Sequence, residues 1–296
     1  MANRPKRAYR ATSDAGRTFG VEVTTRDTER LSALVRWYCL TAEHIARMEM
    51  PKDTWNPGIT GLLDGDPHPD FAKHLYAVKR RLAKLARVDE SGTHSGPLTQ
   101  GVIVEPGRTG WYATRYGATA AGSPWQIRSG INPQFASHAW MAADVGLQIE
   151  SLGYTVLSER ELASGIDREG EEVTTSIASQ IIGTNGQSVS KKPDLAVLSS
   201  DHRSFLAVEV EKWRDRPLSH YTEKLRAYDD NPAVKTVWYL CASDTVANRV
   251  ATAAERVFGD REYPLRIRTT TQTPTWNGVL GMESDARLLG DLEGLR

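Results

Sequence analysis

Cysteine is almost absent from this chain. Cys39 and Cys241 are the two in 296 residues, with no CxxC and no Cys/His spacing, which excludes a disulfide framework and a zinc site and leaves burial as the expected role of both. Long hydrophobic runs are missing as well. No apolar stretch approaches the roughly 20 residues that cross a bilayer, and the N-terminal MANRPKRAYR lacks the apolar centre of a secretory signal, so a cytoplasmic protein without a membrane partner is expected. There is no internal repeat and no low-complexity tract. Net charge is missing too: 37 Lys+Arg balance 37 Asp+Glu. The halves nevertheless differ, because residues 1–130 hold 19 basic against 13 acidic side chains, a net of +6, and the remainder holds 18 against 24, a net of −6. A basic half suits phosphate contact, and an acidic half suits a metal-loaded site or a solvated surface.

What is present is most informative between Lys191 and Tyr228. Pro193-Asp194 opens a strand-like run, Leu195 to Leu198; a polar turn follows at Ser199 to Ser204; a second run, Phe205 to Glu211, carries Glu209 and Glu211. Alternate residues of a strand share a face, so the two glutamates project together while Leu206, Val208 and Val210 point the other way. Ionised carboxylates buried without partners cost several kcal/mol, and a divalent cation, which prefers carboxylate and carbonyl oxygen, is the expected compensation. A helix from about Pro217 to Tyr228 puts Lys224 and Tyr228 four residues apart, on one face.

This pattern resembles the PD-(D/E)xK nuclease superfamily. Pro193-Asp194 matches the PD, and Glu209-Val210-Glu211 matches the later acidic pair, with Glu211 where most members carry a Lys and Lys224 as a lysine moved to the following helix. The run EVEKWRDRPLSHYTEKLRAY is also similar to the signature of the replication-relaxation family of plasmid, phage and integrative-element proteins, with Glu209, Glu211, Lys224 and Tyr228 at the marked positions; Trp213-Arg214-Asp215-Arg216 departs from the small turn usual there. The resemblance implies Mg2+ (or Mn2+) held by Asp194 and Glu209, catalytic roles for Asp194, Glu209, Glu211 and Lys224, and accessory roles for His138, Glu150 and Tyr228. Asp144 competes with Glu150 on the same helix, and a Tyr-linked, relaxase-like intermediate at Tyr221 or Tyr228 is a further option.

Along the rest of the chain, residues 1–25 read as a flexible basic arm. Leu31, Leu34, Val35 and Tyr38 then fall on one helical face, and Thr41 caps a second helix, Ala42 to Met48, with Ile45 and Met48 inward. Pro51 to Pro69 reads as a long loop. A third helix opens near Asp70, with Phe71, Leu75, Val78, Leu82 and Leu85 inside and six cations, Lys73, Lys79, Arg80, Arg81, Lys84 and Arg87, against one acid. A hairpin follows, tipped by Arg108. This is the order of a winged helix-turn-helix, and the clustered cations suit double-stranded DNA. Gly117 to Pro133 reads as a linker. Beyond it come a small-residue helix, Phe135 to Leu152, stopped by Gly153; a strand, Tyr154 to Leu157; a weakly patterned stretch with a strand at Ser176 to Ile182; the carboxylate hairpin; and a strand, a helix and a strand at 236–240, 244–258 and 265–268.

The expectation is an α/β (α+β) chain: a basic arm (1–25), a winged-helix domain (26–122), a linker (123–134) and a PD-(D/E)xK restriction-endonuclease-like αβββαβ domain with a mixed sheet (135–296). Its function would be DNA binding coupled to a magnesium-dependent endonuclease or nickase in mobile-element DNA processing. The alternative is a catalytically inactive nuclease-like protein that regulates transcription or replication. Expected partners are double-stranded DNA, a second copy in a homodimer, and mobile-element replication or transfer proteins.

Overall fold

The computed structural model describes residues 8–12, 18–50, 69–87, 97–127, 130–173, 179–182, 188–212, 216–269 and 286–296. The chain is mixed α+β and splits into two units, Met1–Ala143 and Asp144–Arg296. No helix among the described residues is long and apolar enough to cross a membrane.

The first unit opens with β1 (Ala8–Thr12) and β2 (Thr18–Glu22), paired antiparallel; the stretch expected as a flexible arm contains this hairpin. Helix α1 (Thr25–Arg36) begins where Thr24 and Asp27 cap each other: the Asp27 N–H donates to Thr24 Oγ1 at 3.2 Å and the Thr24 N–H to Asp27 Oδ2 at 2.9 Å. Leu31, Leu34 and Val35 are buried as the spacing predicts. Tyr38 is not on that face. It lies past the end of α1 at φ 59, in the left-handed region, with its ring edge-on to Phe135 at 5.1 Å. Strand β3 (Leu40–Thr41) leads into α2 (Ala42–Glu49), capped by Thr41 as expected. Ile45 is buried, but Met48 is exposed. The expected loop at 51–68 lies outside the described residues.

Helix α3 (Pro69–Ala86) buries Phe71, Val78, Leu82 and Leu85. Strands β4 (Thr99–Glu105) and β5 (Arg108–Ala113) turn tightly at Pro106-Gly107, where Gly107 takes φ 76, and β3 completes the sheet in the order β3-β5-β4. A short helix, α4 (Arg115–Ala121), capped by Thr114 and ended by Gly122 at φ 66, precedes the expected linker at 123–134 and takes in the first residues of the Gly117 to Pro133 stretch. Its Gly117 is there because nothing larger fits: a Cβ would lie 2.1 Å from the Leu98 carbonyl oxygen. Helix α5 (Pro133–Ser151) starts at Asn132, whose Oδ1 accepts from the N–H groups of Gln134 and Phe135 at 2.8 and 3.2 Å, with Pro133 in the first-turn position where its missing N–H costs nothing. It runs across the division between the units.

In the second unit, β6 (Val156–Ser158) passes into α6 (Glu159–Ser164) through a Ser158/Glu161 capping box. Strands β7 (Ser179–Ile182) and β8 (Ser188–Lys191) form a hairpin of their own. Then come β9 (Leu195–Leu198), β10 (Phe205–Glu211), α7 (Leu218–Asp229), β11 (Val234–Cys241), α8 (Asp244–Phe258), β12 (Leu265–Thr269) and α9 (Ala286–Glu293). The main sheet has the order β12-β11-β10-β9-β6. Its β6-β9-β10 part is antiparallel and its β10-β11-β12 part parallel. All seven residues of the central β10 are buried, so both faces are covered. One face packs Phe205, Ala207, Val237, Tyr239 and Cys241 against Tyr221, Leu225 and Tyr228 of α7 and Val246, Val250 and Ala253 of α8. On the other, Trp238 Nε1 donates to Asp291 of α9 at 3.0 Å.

Candidate active site

Two charged side chains lie within the face that α7 and α8 cover. Strand alternation puts Glu209 and Glu211 there beside Phe205 and Ala207, and the parallel register makes Tyr239 of β11 the neighbour of Glu209. Glu209 is 3% exposed. Its two oxygens are held from α7: Lys224 Nζ donates to Oε2 and Tyr228 Oη donates to Oε1. The four-residue spacing on one helix face thus acts as expected, and Tyr228, fully buried, serves both as a packing side chain and as a donor to the acid. Asp194, half-buried just before β9, turns its Oδ2 to the N–H of Val210, which donates at 2.8 Å. Glu211 pairs instead with Arg216, 3.3 Å from its Oε2.

The electrostatics follow from this placement. Burial raises the Glu209 carboxyl, Lys224 pulls it back, and the Asp194 charge adds to the rise, leaving it at about 7 against an ordinary 4.5. Burial alone would lower Lys224, but the Glu209 and Asp194 carboxylates outweigh it and hold the ammonium above its ordinary value. Lys224 therefore keeps its proton across the pH range in which Glu209 titrates. A third α7 residue belongs to this cluster and was not singled out in the sequence. His220 precedes Lys224 by one turn, lies 3.0 Å from Arg216 Nη1, and is depressed to about 4, by burial first and then by the charges of Arg216 and Lys224. The 220-224-228 spacing was its legible signal. Tyr239 was missed as well, and nothing in an apolar strand run marks one tyrosine as special.

Comparison with protein-family models, with curated proteins and with solved structures finds no match.

The donor set fits a hydrated magnesium ion at the minimum level. Asp194 and Glu209 bring two carboxylates under each other's influence, with one ammonium bonded to Glu209 and felt by Asp194, a net of −1, and magnesium is commonly held by one or two carboxylates with water filling the rest. It does not form a cage: no group of three metal-ligating acids, histidines or cysteines occurs among the described residues. Glu150 faces Arg168 at 4.0 Å, and Asp144 accepts from Gln148 Nε2 at 3.1 Å. His138 belongs to the first unit, with its ring 6.4 Å from that of Phe135. Tyr221 is fully buried, edge-on to Tyr239 at 6.4 Å, and burial pushes its hydroxyl up to about 12. Residues 213–215, where the sequence departs from the family signature, lie outside the described residues.

The cations expected to meet DNA separate into two groups. Lys73, Lys79, Arg80 and Lys84 are exposed on α3 and Arg87 just past its end; Lys79 pairs with Glu43 at 3.1 Å and the Arg80 guanidinium sits 5.7 Å from the ring of Tyr76, itself 64% exposed. Arg81 is different. Its guanidinium turns inward to the fully buried Asp27, with Nε 2.9 Å from Oδ1, and Asp27 also receives Arg30 at 3.3 Å. Arg30 donates in turn to Glu49 at 2.8 Å, so Arg81 is part of a buried ionic brace joining α1, α2 and α3. Arg108 is not at a free hairpin tip either: it begins β5, half-buried, with its guanidinium 4.9 Å over the ring of Trp140.

Proposed function

We propose that this chain is a DNA-binding protein whose second unit is a nuclease-like domain that nicks or cleaves DNA with a divalent cation, in the processing of plasmids, phages or integrative elements. One observation carries the reading: Asp194, Glu209 and Lys224, delivered by the entry to β9, by β10 and by α7, meet at one buried spot. Support also comes from the element order. Helix, short strand, two helices and a hairpin, closed by the β3-β5-β4 sheet, favour a winged helix over roughly 26–122 in which α3 meets the major groove. Helix, three antiparallel strands, helix and parallel strand favour the restriction-endonuclease-like αβββαβ plan over 135–296, in line with the resemblance to the replication-relaxation family.

On this reading Asp194 and Glu209 hold Mg2+ or Mn2+, and the chemistry the ion supplies is a lower pKa for its water and neutralisation of phosphate charge. Lys224 would supply the positive charge that faces the charge growing on the phosphate. Tyr228 keeps its hydrogen bond and fixes the Glu209 rotamer, while the exposed α3 cations track the DNA backbone.

A second reading, a catalytically inert regulator, is favoured by the engagement of both Glu209 oxygens at 3% exposure. Supercoiled plasmid incubated with Mg2+ or Mn2+ separates the two. Nicking by the wild type that is lost in Asp194→Ala and Glu209→Ala supports the nuclease; retained DNA retardation without cleavage under either ion supports the regulator. Retardation unchanged by Arg80→Glu with Lys84→Glu removes the DNA-binding assignment of α3.

A further inference from the structure

Tyr239 is the side chain this site leaves unsatisfied. It is 1% exposed, and its hydroxyl has no hydrogen-bond partner among the described residues. The register places it directly beside Glu209 on the same face of the sheet, and the carboxylates of Glu209 and Asp194 add to the burial that holds its proton on. A buried hydroxyl without a partner forfeits its hydration with nothing in return, and buried polar groups are almost always paired. A phenol donates one hydrogen bond and accepts others, whereas ionised carboxylates only accept. The species that suits both is one that accepts from the phenol and donates to a carboxylate, and water does this. Each Glu209 oxygen accepts one bond, from Lys224 or Tyr228, and Asp194 Oδ2 accepts one from the Val210 N–H; a carboxylate oxygen with one bond has a lone pair left for the water.

We propose that Tyr239 is a positioning residue of the Asp194–Glu209 site, its hydroxyl fixing a water molecule against the two carboxylates. The inference deepens the reading above and rests on it for one point only, that this water belongs to the shell of a bound cation. A water fixed in this place is oriented by one donor and by carboxylate acceptors, the arrangement a hydrolytic nucleophile requires.

Crystals of the full chain, wild type and Tyr239→Phe, grown in EDTA and soaked in Mn2+, test it. The expected result is an ordered oxygen about 2.8 Å from the Tyr239 hydroxyl in wild-type EDTA crystals, lost in Tyr239→Phe, and in soaked wild-type crystals a manganese anomalous peak at Asp194 and Glu209 with that oxygen retained. In solution Tyr239→Phe should bind Mn2+ roughly 10–100-fold more weakly, the usual effect of losing an outer-shell partner. An ordered oxygen without a manganese peak upholds Tyr239 and removes the cation. A manganese peak beside a Tyr239 hydroxyl bonded to protein groups alone, with unchanged Mn2+ affinity in the variant, overturns the inference and leaves the cation reading standing. The wild-type crystals decide the first point even where the variant does not fold.

Discussion

Replacing Lys224 with methionine keeps most of the side chain's volume and deletes the ammonium, and the consequence depends on pH in a way the structure specifies. At pH 8 the wild-type Glu209, with a pKa of about 7, is ionised and paired. Without Lys224 the carboxylate keeps only Tyr228 as a direct donor. Breaking a buried pair from one side costs roughly 3–5 kcal/mol, and Glu209 limits the loss by taking up a proton. At pH 5 the wild-type carboxyl is already protonated, so far less is broken. The Glu209 part of the difference is bounded by the interval from its wild-type value of about 7 up to pH 8, one unit or about 1.4 kcal/mol.

The signs run as linkage requires. Because the folded pKa of Glu209 is raised, its stabilising contribution is complete below 4.5 and is lost as pH rises through about 7. His220, depressed from 6.5 to about 4, contributes above 6.5 and loses that contribution as pH falls through 4. The two oppose each other in the wild type. Removing Lys224 raises Glu209 further and lifts one of the charges that keeps His220 neutral, and both changes make the substitution cheaper at pH 5. Urea unfolding followed by circular dichroism at pH 5 and pH 8 should therefore show Lys224→Met costing about 1–3 kcal/mol more at the higher pH. Equal costs at the two values would refute the buried, shifted Glu209.

Three further outcomes follow from the first unit. Arg81→Met leaves the fully buried Asp27 short of a partner and should destabilise by about 3–5 kcal/mol, whereas Lys84→Met, one turn on and exposed, should stay within about 0.5 kcal/mol; paired thermal melts check the contrast. The Asp27 carboxyl is held below its ordinary 3.8, chiefly because the hydrogen bonds from Arg81 and Thr24 overcome its burial, so that brace is intact above 3.8 and should fail as pH falls through the lower folded value, visible as an acid transition that Asp27→Asn lacks. Gly117→Ala drives a Cβ into the Leu98 carbonyl oxygen and should lower stability by about 1–3 kcal/mol or more, while alanine at an exposed α3 position such as Lys73 should not.

Much of this arrangement could be read from the residues. Glu209 and Glu211 were conspicuous because an alternating apolar strand surrounds them, and the four-residue step from Lys224 to Tyr228 placed both over that strand. Elements with a full apolar period, such as α3 and α8, fell within a residue or two of expectation. The failures were local and physical. Helix α4 hides in a Gly- and Ala-rich run because close packing at Gly117 and Ala118, not hydrophobic periodicity, holds it in place. Helix α6 announces itself only through the Ser158/Glu161 box, and α9 is a short amphipathic segment whose anchor, Asp291, is bonded to Trp238 fifty-three residues earlier. Arg81 was assigned to DNA with its neighbours because a single helical period cannot tell an outward cation from one that folds back on a buried aspartate 54 residues before it. Tyr239 carries no marking in sequence; only the register against Glu209 gives it meaning.

The most direct test of the central claim is a titration of the full chain with Mn2+ at pH 8, with free ion followed by electron paramagnetic resonance. The account predicts that the wild type removes one equivalent of Mn2+ from solution and that Asp194→Asn and Glu209→Gln, confirmed as folded, do not. A wild type that leaves all the Mn2+ free, or variants that bind it equally well, would contradict it.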